Sequence, residues 1–583
     1  MTPDIIRDST LGQLLNRLTQ GRMLPFADQR PDYVLPVRYR AALDGLTIQG
    51  PFHDTAAAAA SAATSRTATA APSLKGFVEE EKIPVEGEAD APRTMLDLEK
   101  ADLNHQLTPR EPASVAKDPF LVEFEENDPD CPMNWSRRKR IFVATLISFL
   151  TFSVYIGSAI YTPSIPGIMM DFGVHQVVAT LGLSLFVLAY GIGPMILAPL
   201  QEMPRQGRTP VYVIGLFLFF IFQFPIVFAL NVATILVFRF LSGFVGSPAL
   251  ATGGASMIDI FEPRHAPIAI AVWSIGAVSG PVLGPVIGSF AAQANGWAWP
   301  NWELLWISGF ALLVLSLLLP ETLESTVLIR RAERIRRLTG DNRFRTQAEI
   351  DAIEGESFLH LLWTNFKRAF QLSAEPAVLF ANSYIALLYA CFYLWFEAFP
   401  ILYVETYHFS LGISGLPYLV FIVSGLTTFS FYILYLLYHL NPRMERPGFL
   451  PEARLELGLV AGLFIPVSLL MFGWAGQNQT HWIVPTIGAG LYLPGIFLIF
   501  QCILMYISSS YPPALAASIL AGNDLFRSSF ASVFPLFGTR FFKVLGLGGG
   551  SSLLAGVNLL MVPLLYLLIK FGPRLRARSK WIQ

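Results

Sequence analysis

A handful of ionisable residues sit where charge is expensive. Glu397 lies inside the apolar run Tyr393-Leu394-Trp395-Phe396-Glu397-Ala398-Phe399-Pro400, and Arg239 inside Val237-Phe238-Arg239-Phe240-Leu241-Ser242-Gly243. A charge at the centre of a bilayer costs about 3 kcal/mol on insertion scales unless paired or hydrated, so such residues are kept for function by default. A carboxylate that moves between water and a drier site takes up and releases protons, which is coupling chemistry. Asp524 and Arg527 stand three apart, on one face of a helix, and read as a static ion pair. Tyr155, Tyr161, Trp273, Phe392, Trp395 and Phe399 could line a greasy substrate pocket, with packing or lipid contact as the competing role for each.

The elements that must carry these groups are membrane helices. Of 583 residues, 53% are hydrophobic and only 14% charged. Mean hydropathy is +0.50. A soluble fold cannot hide that much apolar surface, so lipid must act as solvent. A net charge of -1 gives no sign of a nucleic-acid partner. Cys131, Cys391 and Cys502 form neither a disulfide framework nor a zinc spacing and read as small buried hydrophobes; no metal or cofactor is expected. The chain has no Gly-Lys pair, hence no Walker A loop for ATP, and no His-Glu-x-x-His or Gly-x-Ser-x-Gly. It is not expected to be an enzyme.

Residues 1–139 form a polar tail, largely disordered by composition, with 55–73 almost wholly Ala, Ser and Thr. Met1 to Arg22 mixes acids and bases and lacks the apolar core of a cleavable signal. Leu11 to Leu18 has a short helical apolar pattern, read as a frayed amphipathic turn. Apolar runs then recur near 141–162, 177–199, 211–230, 232–257, 267–292 and 302–320, and again near 377–403, 413–439, 453–475, 482–507, 513–541 and 551–571. Each is long enough to span about 30 Å of hydrocarbon as a helix. This predicts a six-helix bundle over 140–320, a central loop over 321–376, a second bundle over 377–571 and a short tail over 572–583. Lys and Arg cluster at 137–140, in the second, fourth and eighth connections, in 321–376 and after 572, so both termini and the central loop are expected on the cytoplasmic side. Arg540 and Lys543 are the exception. Asn478-Gln479-Thr480 is a glycosylation sequon in a short loop on the opposite side.

Three motifs narrow the class. The connection after the second span reads Ala198-Pro199-Leu200-Gln201-Glu202-Met203-Pro204-Arg205-Gln206-Gly207-Arg208-Thr209-Pro210, where an acid before Gly-Arg can cap a helix end and bridge to a neighbour. The fourth span carries Arg239-x-x-x-Gly243. The fifth carries Gly276, Gly280, Gly284 and Gly288 on one smooth face, interrupted by Pro281 and Pro285. Together these resemble the major facilitator superfamily. Glu202, Gly207 and Arg208 take the places of its loop signature, with Ala198 for a glycine, Glu for the usual acid and a longer spacing. The form resembles the fungal twelve-helix drug:proton antiporters that resist benomyl, fluconazole and cycloheximide, as do Gly522-Asn523-Asp524-Leu525-Phe526-Arg527-Ser528-Ser529-Phe530 and Arg7-Asp8-Ser9.

That resemblance implies an all-α polytopic fold of two six-helix bundles around a central cavity lined by the first, fourth, seventh and tenth helices. It implies export of small amphiphilic toxic compounds in exchange for protons, by alternating access, at the plasma membrane, with a monomer as the working unit. Arg239 and Glu397 would lie beside the cavity and couple the proton. The alternatives are an exporter of an endogenous metabolite, or a same-fold nutrient uniporter or symporter, which would lack the glycine–proline face.

Overall fold

The computed structural model describes residues 2–19, 21–30, 33–44, 118–262, 265–354, 358–444 and 448–581. Helices account for the regular structure; pairing among the described residues is limited to one isolated bridge, Ser9 with Pro320. Lipid offers no partner to a backbone amide, so each spanning segment must satisfy its own, and the helix does so. Among the described residues, eleven helices are long and apolar enough to cross a membrane. The last breaks at Gly546 (φ 72°, ψ 162°), a setting only glycine adopts easily, and so makes two crossings. The total is twelve, in an all-helical fold.

The first six crossings are Arg137–Phe172, Gln176–Glu202, Arg208–Val227, Val232–Ile260, Ala266–Asn295 and Trp299–Leu318. The second six are Pro376–Thr406, Leu411–Met444, Pro451–Gln477, Ile483–Ser510 and the two arms flanking Gly546. Local chemistry sets their ends. Ser136 caps the first span, its hydroxyl accepting from the Lys139 amide at 3.4 Å. Asn231 separates the third from the fourth, its side chain accepting the Thr234 amide at 2.8 Å. Proline opens the seventh at Pro376, where a missing amide proton costs nothing. The seventh span is the most enclosed of all. The two halves meet where the second span packs on the eleventh and the fifth on the eighth.

Between the bundles run helices Glu324–Thr339, Gln347–Glu354 and Phe358–Ser373. The first buries Thr326, Ile329, Ala332 and Ile335, one stripe at helical spacing.

The start of the chain differs from its expected frayed turn. Helix Thr10–Leu18 is capped by Ser9, whose hydroxyl accepts the Gly12 amide at 3.1 Å. Asn16 is buried and donates to Leu24 O at 2.9 Å, pinning the return segment. Asp8 pairs with Lys139 at 3.1 Å and Asp28 with Arg334 at 2.7 Å. Arg7 and Arg334 flank Phe26, their guanidinium carbons 4.7 and 4.1 Å from its ring centre. Sequence periodicity could not show this, because partners some 306 residues away supply the stability. Separately, residues 33–44 carry a helix Val37–Leu43, and Arg38 donates to Leu121 O at 2.8 Å. The Ala/Ser/Thr stretch 55–73 lies outside the described residues.

Candidate functional site

Arg239 is fully buried within the first bundle. Its guanidinium donates to Gly157 O at 2.7 Å, Gly182 O at 3.0 Å and Ser158 O at 3.5 Å. Tyr161 and Phe186 cover its faces, with ring centres 4.4 and 4.6 Å away. Gly182 makes room for this, since a Cβ there would strike the Tyr161 ring. No carboxylate among the described residues lies within ion-pair reach of Arg239. Hydrogen bonds to a charged group are worth about 1.5–3 kcal/mol each, and a desolvated cation–π contact about 2 kcal/mol. Those terms together outweigh the insertion penalty of about 3 kcal/mol. Arg239 thus ties together the first, second and fourth spans.

Glu397 sits where the halves meet. It is 5% exposed. Its Oε2 accepts from Gln176 Nε2 at 3.1 Å, on the second span, and from Thr539 Oγ1 at 2.6 Å, on the eleventh. Gln176 also donates to Thr539 at 2.6 Å, closing a triangle of three helices. Glu397 and Arg239 share no hydrogen bond or ion pair; each is held by different neighbours.

A second cluster lies on the same seam. Asp524 and Arg527 pair through Nε at 2.8 Å and also through Nη2, both onto Asp524 Oδ1. Asp524 Oδ2 is buried with no hydrogen-bond partner. Arg527 stacks on Tyr389 and Phe500 at 5.0 and 5.4 Å and reaches Tyr155 OH at 3.5 Å. From there hydroxyls run across the seam: Tyr389 to Tyr155 at 3.1 Å, Tyr190 to Tyr389 and Tyr393 at 3.2 Å each, and Tyr393 to Ser158 at 3.1 Å. Ser158 is one of the residues whose carbonyl holds Arg239. The chain of polar contacts therefore links the two buried arginines through four tyrosines. Tyr190, Tyr389 and Tyr393 went unmarked in the sequence; the four-residue spacing of Tyr389 and Tyr393 was the available signal.

The other expected aromatic positions divide. Tyr155 and Phe392 are near the seam, Phe392 packing on Tyr393. Tyr161 points into the first bundle, donating to Ala179 O at 2.9 Å. Trp273 donates to Thr151 Oγ1 at 2.8 Å and packs over Gly253. Trp395 and Phe399 face the interior of the second bundle, Trp395 against Tyr492 at 4.7 Å and Phe399 against Tyr418 at 4.2 Å.

The glycine face of the fifth span lies directly on the first. A Cβ at Gly276 would stand 2.5 Å from Ser148 O, at Gly280 2.7 Å from Ile156 N, at Gly284 2.7 Å from Ile160 N, and at Gly288 2.6 Å from Ile160 O. Backbones touch here, and no side chain fits between them. Pro281 and Pro285 are buried in the same helix, and Pro285 O faces Gly415 of the other half at 2.9 Å from where its Cβ would be.

At the connection after the second span, Gly207 has φ 79° and caps the third span. The acid at that cap is Glu321, from the end of the sixth span, which accepts from Arg208 N at 3.0 Å and Thr209 N at 3.3 Å. A side chain on Gly207 would collide with it. Arg208 pairs with Asp259 at 2.6 Å. Glu202 itself is exposed, so capping and bridging fall to two acids distant in sequence. Arg330 adds a contact to Glu321 at 3.6 Å, and burial lowers its proton affinity from the usual guanidinium range.

Comparison with known proteins agrees with this geometry. The family model described as Major Facilitator Superfamily matches residues 147–535. Transporter mfs1 of Schizosaccharomyces pombe is 41% identical over 78% of this chain and 87% of its own. Fluconazole resistance protein 1 of Saccharomyces cerevisiae is 39% identical over 80% of this chain and 86% of its own. The cycloheximide resistance protein of Candida maltosa is 35% identical over 99% of both. Among solved structures, the proton:xylose symporter XylE superposes with a TM-score of 0.50 at 15% identity, covering 74% of this chain and 97% of XylE.

Proposed function

The chain belongs to the major facilitator superfamily, and from that premise we propose that it exports small amphiphilic toxic compounds in exchange for protons. The observation that carries the coupling is Glu397, a buried carboxylate bonded at once to the second and eleventh spans, which belong to opposite halves. The names of relatives from three fungi support drugs as the substrate class.

Ionised Glu397 is costly in this closed position and neutral Glu397 is cheap, because burial penalises the charged form. A proton taken from outside lets the halves close over Glu397. Its loss to the cytoplasmic side restores the penalty and favours reopening outward with substrate aboard. The tyrosine hydroxyls beside Arg527 would hold the polar groups of the substrate, and the rings its apolar body. The working unit is a monomer in the plasma membrane with both termini in the cytoplasm, on the Lys/Arg asymmetry of the loops.

Glu397→Gln keeps size and hydrogen bonding but cannot ionise. Reconstituted vesicles carrying it should bind substrate yet fail to accumulate it when a pH step is imposed. Accumulation against the gradient at wild-type rate would move the proton to another acid.

A further inference from the structure

We infer that helix Phe358–Ser373 is an interfacial helix that binds anionic headgroups of the cytoplasmic leaflet and presses the inner end of the second span towards the eleventh. The side assigned to this helix rests on the orientation proposed above.

The helix has two unlike faces. Ala369 and Leu372 are 1% and 0% exposed and turn towards the protein. A Cβ at Gly522 of the eleventh span would lie 2.7 Å from Ser373 Oγ and 3.2 Å from Ala369 O, so the two backbones are in close approach. The same helix packs against Pro194–Glu202, the inner end of the second span. It therefore touches both halves. On the other face, Trp363, Phe366 and Phe370 are 64%, 38% and 51% exposed. They form one continuous ring stripe, with centroids 6.0 and 4.9 Å apart. Lys367 is exposed within that stripe and Arg368 borders it.

Three features point to lipid as the occupant. Only Ala374 and Glu375 separate this helix from the first residue of the seventh span. The three links from Ser373 to Pro376 reach about 11 Å at most, which holds the helix at the membrane boundary. Three large rings in water are unfavourable, whereas the boundary of headgroups and acyl chains takes rings below and cations above. The helix carries Lys367 and Arg368 and no Asp or Glu within Phe358–Ser373, matching an anionic leaflet. A polar line then runs inward. Asn382 donates to Ser373 Oγ at 3.3 Å and Asn523 donates to Asn382 at 2.8 Å, beside Asp524. Seating of the helix on the leaflet is thereby connected to the ion pair on the seam.

The test places an environment-sensitive dye at Trp363→Cys in the full-length protein, reconstituted into phosphatidylcholine vesicles with or without phosphatidylserine. Phe370→Cys serves as a second labelled position should the first fail to fold. Lipids brominated on their chains should quench the dye, and more strongly when phosphatidylserine is present. Neutralising both bases with K367Q and R368Q should remove that gain, at about fivefold per base. Equal quenching by aqueous iodide in both lipid mixtures would overturn the proposal. So would shielding from both quenchers, which would put protein over the stripe. The readout needs no transport, so failure of the proton-export reading leaves it untouched, and failure here leaves the Glu397→Gln result untouched.

Discussion

Arg239 and Arg527 are both buried arginines among aromatic rings, yet they are held in opposite ways. Arg239 gives its protons to backbone carbonyls of two helices in its own bundle. Those acceptors cannot swing away without moving the helices. Arg527 is matched by a side chain, Asp524, three residues along its own helix; it stacks on Tyr389 and Phe500 of its own half and reaches Tyr155 of the other. Asp524 keeps one oxygen free of hydrogen bonds. The contrast separates a cation held by the backbone of its own bundle from a cation held by side chains on the seam. Backbone acceptors make structure; side-chain acceptors on a seam permit change.

The largest expected effect comes from breaking the fixed member. Arg239→Ala removes three buried charge-assisted hydrogen bonds and leaves a void between Tyr161 and Phe186, at a cost of about 3–5 kcal/mol. The purified protein should melt at a clearly lower temperature, with both binding and export damaged. Arg239→Lys should recover only part of this, since an ammonium lacks the planar fork. An unchanged melting temperature in Arg239→Ala would erase the distinction between the two arginines.

Asp524→Asn is the next step down. It should reduce transport more than stability, because Arg527 keeps its tyrosine contacts. Combined with Arg527→Gln, the loss should fall short of additive by about 1–3 kcal/mol in a thermal double-mutant cycle. Strict additivity would mean the pair carries no coupling, and Arg527 would then be as static as Arg239.

The smallest change probes the platform under Arg239. Gly280 and Gly284 press on Ile156, Ala159 and Ile160, which flank the Gly157 and Ser158 carbonyls. Gly280→Leu or Gly284→Leu should lose export while the protein still reaches the membrane, with overpacking worth about 1–3 kcal/mol. Gly556, with nothing within 4 Å of an added Cβ, is the control. Gly556→Ala should leave melting within about 0.5 kcal/mol of wild type.

Residue type made the intramembrane charges legible, since an arginine or glutamate in an apolar run announces itself. The glycine face was legible for the same reason, as spacing alone puts four glycines on one side of a helix. The direction in which side chains point was not. Spanning helices are apolar all round, so no hydrophobic face tells Trp395, which turns into its bundle, from Tyr393, which turns to the seam. The partners of Arg208 were hidden because they come from the last turn of the fourth span and from just past the sixth, where Asp259 and Glu321 look like ordinary loop-end acids. The capped helix at Thr10–Leu18 was hidden by distance too.

That helix imposes an order on synthesis. Asp28 leaves the ribosome 306 residues before Arg334, the base that receives it. At usual rates of elongation this is a wait of roughly 15–60 s. Through that interval the opening segment can reach Lys139 but lacks its other partners, because Pro320 and Arg334 do not yet exist. Its closure over the first six spans can come only once the sixth is inserted and the helix beyond it has been made. The segment can thus complete its docking only on a first half that has already been built.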